Sequence, residues 1–130
     1  MSDAQQRMAL RGLHHLTAIC RDLDRTTAFY RDVLGLELIA TFDPPGLAFF
    51  RLGGTRLMLE GSAPSATLYL RVDDIGATVD ELRRRGVAFE EEPRVIFRDD
   101  EGRFGAPGQE EWMTFFRDPD GNLLALASRR

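Results

Sequence analysis

At 130 residues, with 43% hydrophobic and 29% charged side chains, the chain can bury a core without disulfide or metal staples. Its net charge of −4 supplies no basic face for phosphate, so nucleic acid is not an expected partner. One cysteine excludes an intramolecular disulfide or a thiolate zinc cluster, and no apolar run is long enough to span a bilayer. The N-terminus is polar rather than a signal peptide, so the expected location is the cytoplasm.

Met1 to Arg11 is polar and reads as a loose segment or short arm. Leu13 to Cys20 reads as a strand carrying both histidines, His14 and His15. Cys20 shares a face with Leu16 and Ala18 and is expected to be buried as a small apolar residue. Asp24 to Leu34 reads as a helix: Asp22 or Asp24 caps its start, Gly35 stops it, and Leu23, Thr27, Tyr30 and Leu34 recur at helical spacing. Glu37 to Phe42 is a second strand, and Asp43-Pro-Pro-Gly46 a turn. Leu47 to Leu52 and Thr55 to Glu60 form a hairpin across Gly53-Gly54.

Gly61 to Ser65 is a linker, and the pattern then repeats, offset by roughly 52 residues at its start. Thr67-Leu-Tyr-Leu-Arg-Val-Asp-Asp-Ile75 lies over His15-Leu-Thr-Ala-Ile-Cys-Arg-Asp-Leu23. A helix over Ile75 to Arg85 again ends at a glycine, Gly86, with Arg83-Arg84-Arg85 favouring its C-terminal dipole. Val87 to about Phe97 reads as a strand interrupted at Glu90-Glu-Glu-Pro93. Arg98 to Glu110 lacks periodicity and reads either as a functional lid or as a disordered surface loop. Trp112 to Arg117 and Asn122 to Ala127 form a last hairpin across Asp118-Pro-Asp-Gly121.

The expected architecture is α+β: a single domain over 1–130, made of two βαβββ modules (about 12–61 and 66–128). The modules form a curved mixed sheet with a cleft, helices on the outer face. Strand alternation puts the purely aliphatic sets under the helices and the mixed sets on the open face. His15, Thr17, Phe49, Arg51, Arg56, Met58 and Glu60 from the first copy, and Thr67, Tyr69, Arg71 and Ala125 from the second, therefore line the cleft. One of Trp112 and Met113 joins them, and the long turn after them leaves open which. His14 falls on the other side, as a rim or capping residue. A polar, curved sheet face of this kind suits a small molecule.

These features resemble the vicinal oxygen chelate superfamily, which includes glyoxalase I, fosfomycin and bleomycin resistance proteins, extradiol dioxygenases and methylmalonyl-CoA epimerase. The resemblance runs from Leu13 to Ser128. It is carried by His14-His-Leu-Thr, Ala28-Phe-Tyr-Arg-Asp-Val-Leu-Gly-Leu36, Val72-Asp-Asp-Ile75, Gly86-Val87 and Phe116-Arg-Asp-Pro-Asp-Gly-Asn122. It implies a divalent metal held from the first and last strands of each copy, at positions that here are His15, Met58, Thr67 and Ala125. Only His15 is a good ligand, and Ala125 stands where the family's motif supplies a glutamate, the anionic member of the site. No metal is therefore expected; the alternative is one divalent ion on His15 and Glu60, completed by water or substrate.

The favoured function is a metal-free, bleomycin-resistance-like protein that binds a small molecule in its cleft and works as a homodimer. Aromatic rings and carboxylates there suit a flat or cationic ligand, with Glu60 and the acidic Asp99 to Glu111 segment available to a cation. The alternative is a lyase, isomerase or dioxygenase with an atypical metal site, or with His15 as the only candidate general base. A third reading is a structural or regulatory subunit that uses the fold only to dimerise.

Overall fold

Asp22 and Asp74 open the two helices in the same way. In the computed structural model, which describes residues 10–130, Asp22 Oδ1 accepts from the Arg25 amide at 3.1 Å and Asp74 Oδ1 from the Ala77 amide at 3.0 Å. Both helices stop at glycines in the left-handed region, Gly35 at φ 74° and Gly86 at φ 93°. The expected N-terminal arm lies, for residues 1–9, outside the described residues.

The first module runs β1 (Leu16–Ile19), α1 (Leu23–Ala28, continued by a π-helical turn over Phe29–Val33), β2 (Leu38–Phe42), β3 (Leu47–Leu52) and β4 (Thr55–Glu60). The second runs β5 (Thr67–Arg71), α2 (Ile75–Arg84), β6 (Arg94–Asp99), β7 (Gln109–Arg117) and β8 (Leu123–Arg129). The strands form two four-stranded sheets of matching order, β1-β4-β3-β2 and β5-β8-β7-β6. In each, the first strand pairs parallel with the last and the other pairings are antiparallel. The expected curved mixed sheet is thus assembled from one sheet per repeat.

The aliphatic faces of both modules meet in one core. Tyr30, Phe50, Leu57 and Leu59 from the first module cluster with Leu68, Ile75, Phe116 and Leu124 from the second. Burial of these side chains is the main favourable term holding the modules together. Cys20 joins this core, and burial pushes its thiol pKa up.

A buried polar clasp adds direction to that packing. The β7–β8 turn carries Asp118, Asp120 and Asn122, all buried. Tyr30 Oη donates to Asp118 Oδ2 at 2.6 Å, and Thr26 Oγ1 donates to Asp120 Oδ2. Asn122 Nδ2 donates to the Ile19 carbonyl at 2.9 Å, while Asn122 Oδ1 accepts from the Ala66 amide at 2.7 Å. One turn of the second module thereby grips the end of β1, α1 with its π-helical turn, and the residue leading into β5, with its polar atoms satisfied as burial requires.

Several boundaries differ from the sequence expectation. β1 begins at Leu16 rather than Leu13, because the Leu13 and His14 carbonyls accept from the Thr55 hydroxyl instead of joining the ladder. The sixth strand starts at Arg94, not Val87; Pro93 lacks a ladder donor, and only an isolated Phe89–Phe116 bridge forms before it. β6 and β7 also extend into the segment expected to be a lid or disordered loop, leaving an ordered hairpin tip over 100–108.

Candidate functional site

On the open face of the first sheet, register places Met58 between Thr17 and Phe49, and Arg51 beside Arg56. The His15 and Phe49 rings meet edge to face at 6.2 Å, and Phe42, half exposed, meets Phe49 at 6.0 Å. His14 is not on the opposite side. The strand has not yet begun there, so alternation does not apply; His14 packs 5.3 Å from His15 and its Nε2 lies 2.8 Å from an Arg56 guanidinium nitrogen. Arg51 is paired with Glu37 at 2.8 Å, and Glu60 Oε1 accepts from Ser62 Oγ at 3.1 Å.

On the open face of the second sheet, Tyr69 pairs with Ala125, and Ala125 with Phe115. Arg71 and Met113 both flank Ala127, and Arg129 lies beside Glu111. Thr67 is exposed at the start of this face. Met113 is therefore the open-face residue of the pair left undecided by sequence. Trp112 lies across from Ser128 on the other side of the sheet, packs against the core, and carries the Arg130 guanidinium 4.7 Å from its ring.

A concavity of about 580 Å³ occupies this second face, bounded by Tyr69, Arg71, Phe104, Glu111, Met113 and Arg129. A second, of about 600 Å³ and more apolar, lies where the modules meet, with Leu36, Leu52, Tyr69, Leu70 and Leu82 in its wall. Neither includes His15, Thr17, Phe49, Met58 or Glu60. The chain gathers the expected residues into two open faces, one per module.

Asp99 organises the rim of the first concavity. Fully buried, it accepts from the Arg103 and Phe104 amides at 2.8 and 2.9 Å and from an Arg129 guanidinium nitrogen at 2.9 Å. The Phe104 amide, then the Arg103 amide and Arg129, hold its carboxyl down at about 2 against the opposing effect of burial. Sequence reasoning grouped Asp99 with a solvated acidic loop. The expected strand stopped at about Phe97, and no sequence signal marked the Asp99 side chain, two residues beyond it, as buried. Phe42, Phe104, Phe115, Glu111 and Arg129 were also missed as individual members of the open faces.

The side chains do not suit the divalent metal of the resembling family. Ala125, at the position of the expected glutamate, is fully buried. Tyr69 and Phe115 lie one strand to either side of it, on the same face, with ring centroids 6.3 Å apart in an edge arrangement. Since their backbones are separated by two strand spacings, roughly 9.6 Å, the rings lean together over the alanine methyl group. A longer side chain at position 125 would have to push this ring pair apart. Met58 and Thr67 offer no anionic oxygen. Nor do His15 and Glu60 converge: Glu60 pairs with Ile19, four residues on from His15, which is roughly 13 Å along a strand. Among the described residues, no group of three or more His, Cys, Asp or Glu side chains stands close enough to hold a metal ion.

Among the described residues, no helix is long and apolar enough to cross a membrane. Comparison with known proteins places these features in context. The sequence profile of the Glyoxalase/Bleomycin resistance protein/Dioxygenase superfamily matches residues 12–126. The fosfomycin resistance protein FosX of Listeria monocytogenes is 27% identical over 128 residues, covering 88% of this chain and 87% of that protein. The mitochondrial methylmalonyl-CoA epimerase of Mus musculus is 27% identical over 134 residues, covering 88% of this chain and 71% of that one. Among solved structures, TnmS3, an antibiotic binding protein from a Streptomyces species, superposes with a TM-score of 0.74 at 25% identity, covering 95% of this chain and 99% of that one. With its two βαβββ modules and a match along nearly its whole length, the chain belongs to the Glyoxalase/Bleomycin resistance protein/Dioxygenase superfamily.

Proposed function

We propose that the chain is a metal-independent binding member of this superfamily, and that it works as a homodimer holding a small planar molecule against the aromatic open faces of its sheets. The observation that carries the proposal is Ala125, sealed beneath Tyr69 and Phe115 at the position where the family's motif would place a metal-binding carboxylate. Aromatic faces replace a charged site with one suited to stacking. The similarity to TnmS3, described as an antibiotic binding protein, supports the same reading.

The homodimer rests on the exposed aromatics. Phe42, Tyr69 and Phe104 stand 51, 60 and 72% exposed on the open faces, rings that a partner surface could cover. A two-fold pairing that set the first face of one copy against the second face of the other would cover both and close a shared cleft.

One observation favours a second reading, a lyase, isomerase or dioxygenase with an atypical site. The His15 imidazole is half-buried beside Phe49, at a position where the family places a metal ligand. A thermal-shift survey of planar neutral, planar cationic and non-planar small molecules, with and without EDTA, separates the two. The binder reading expects midpoints raised by planar compounds and unmoved by EDTA. A chain stabilised by no planar compound, or only with divalent metal present, would contradict it.

A further inference from the structure

The geometry points to the concavity where the modules meet as a binding site for a medium-chain aliphatic carboxylate, with its tail among leucines and its head on Arg71. This goes beyond the planar-ligand reading above and does not rest on it. At about 600 Å³, the concavity has the size of a small-molecule site.

Its lining is an unfinished piece of the core. Leu82 and Leu126 are buried core members; Leu36, Leu52, Leu70 and Val72 pack against that core while staying only half-buried. Both modules contribute, Leu36 and Leu52 from the first and the others from the second. Aliphatic side chains left partly wet around one hollow favour an apolar group that fills it, by roughly fourfold in affinity per buried methylene. Tyr69 is the one aromatic residue of this wall, so the hollow suits a flexible chain rather than a stacked ring.

The head group follows from charge. Arg71 is the only charged residue that lines this concavity. It reaches there because β5 is an edge strand, paired only with β8. Beside its free edge both faces of the strand border the hollow, Leu70 from one and Tyr69 with Arg71 from the other. Arg129, in the neighbouring concavity, is held by Asp99 and Glu111. Arg71 is exposed, and its side chain has no ion-pair or hydrogen-bond partner among the described residues. A guanidinium free of protein carboxylates, beside a hollow with no other charge, complements one monoanionic carboxylate.

The probes are octanoate, 1-octanol and butanoate, titrated into the full chain by calorimetry. The expected result is one octanoate per chain. Butanoate should bind more weakly by about fourfold per methylene lost, and 1-octanol about tenfold more weakly. Arg71→Gln should weaken octanoate about tenfold and leave 1-octanol within about twofold. The residue is exposed, so this change cannot remove binding by unfolding the protein. Methyl spectra should place the octanoate-induced shifts on Leu36, Leu52 and Leu70. No octanoate binding, butanoate or 1-octanol binding as tightly as octanoate, affinity indifferent to Arg71→Gln, or methyl shifts confined to other residues would each overturn the site. Planar ligands binding in the survey above while octanoate does not would remove this site alone. Octanoate binding where no planar compound does would leave it standing without that reading.

Discussion

The rings of Tyr69 and Phe115 meet edge to face, 6.3 Å between centroids, across the fully buried methyl group of Ala125. This contact decides what the second module's open face can do. A carboxylate at position 125 would have to displace this aromatic pair. Ala125→Glu should therefore destabilise the fold by about 1–3 kcal/mol from overpacking, with a further cost for burying the carboxylate. Adding Tyr69→Ala to that variant should recover part of the loss. Denaturant midpoints of the single and double variants check both expectations; a neutral Ala125→Glu would mean the rings part freely.

The clasp between modules gives a second expectation. Tyr30→Phe removes the 2.6 Å hydrogen bond to Asp118 and should cost about 1.5–3 kcal/mol. Burial first, then the Asp118 charge and that hydrogen bond, raise the Tyr30 pKa far above its ordinary value of 10.0. A raised folded-state pKa means the stabilisation is complete below the unfolded value and declines as pH climbs above it. In a Tyr69→Phe background, where Tyr30 is the remaining tyrosine, tyrosinate absorbance should rise only together with unfolding. Ionisation in the still-folded protein would contradict the clasp.

Asp99 sets the opposite pH dependence. Its carboxyl is depressed to about 2 in the fold, against about 3.9 for an unperturbed aspartate. Its contribution is therefore complete above about pH 4 and lost as pH falls through the folded value. The Arg103 and Phe104 amides that donate to it should lose hydrogen-exchange protection over that acidic window. In Asp99→Asn they should be unprotected even at neutral pH. Protection unchanged in the variant would show that the loop is held by something else.

How much of this was legible in the sequence follows from local chemistry. Leu47 to Leu52 and Thr55 to Glu60 were read with the observed ends, because a two-glycine turn fixes the register of the hairpin on either side of it. The glycine stops of both helices and an aspartate cap of the first were legible because each is a local residue signal; the Asp74 cap of the second helix was not read. Trp112 and Met113 could not be separated, since the Asp118 to Gly121 turn is longer and a one-residue slip reverses every side chain beyond it. The Tyr69–Phe115 contact was out of reach because it depends on three strands at once. The buried roles of Asp99, Asp118 and Asp120 were hidden too, because aspartate in a turn ordinarily faces water.

Placing Trp112 on the core side changes how ligand binding should be followed. Trp112→Phe should leave the affinity for open-face ligands within about twofold, while lowering stability through lost packing. Its emission should respond to Arg130→Ala, which removes the guanidinium over the ring. A ligand whose affinity collapses in Trp112→Phe would place binding on the helix side of the sheet.

The most direct test of the central claim is a calorimetric titration of metal-stripped protein with manganese(II), nickel(II), zinc(II) and iron(II), repeated on His15→Ala. If the aromatic pair has replaced the metal site, neither protein binds any of these ions stoichiometrically, and the two titrations are alike. Stoichiometric binding per chain that disappears in His15→Ala would contradict the account, because the chain would then complete a metal site despite the sealed Ala125.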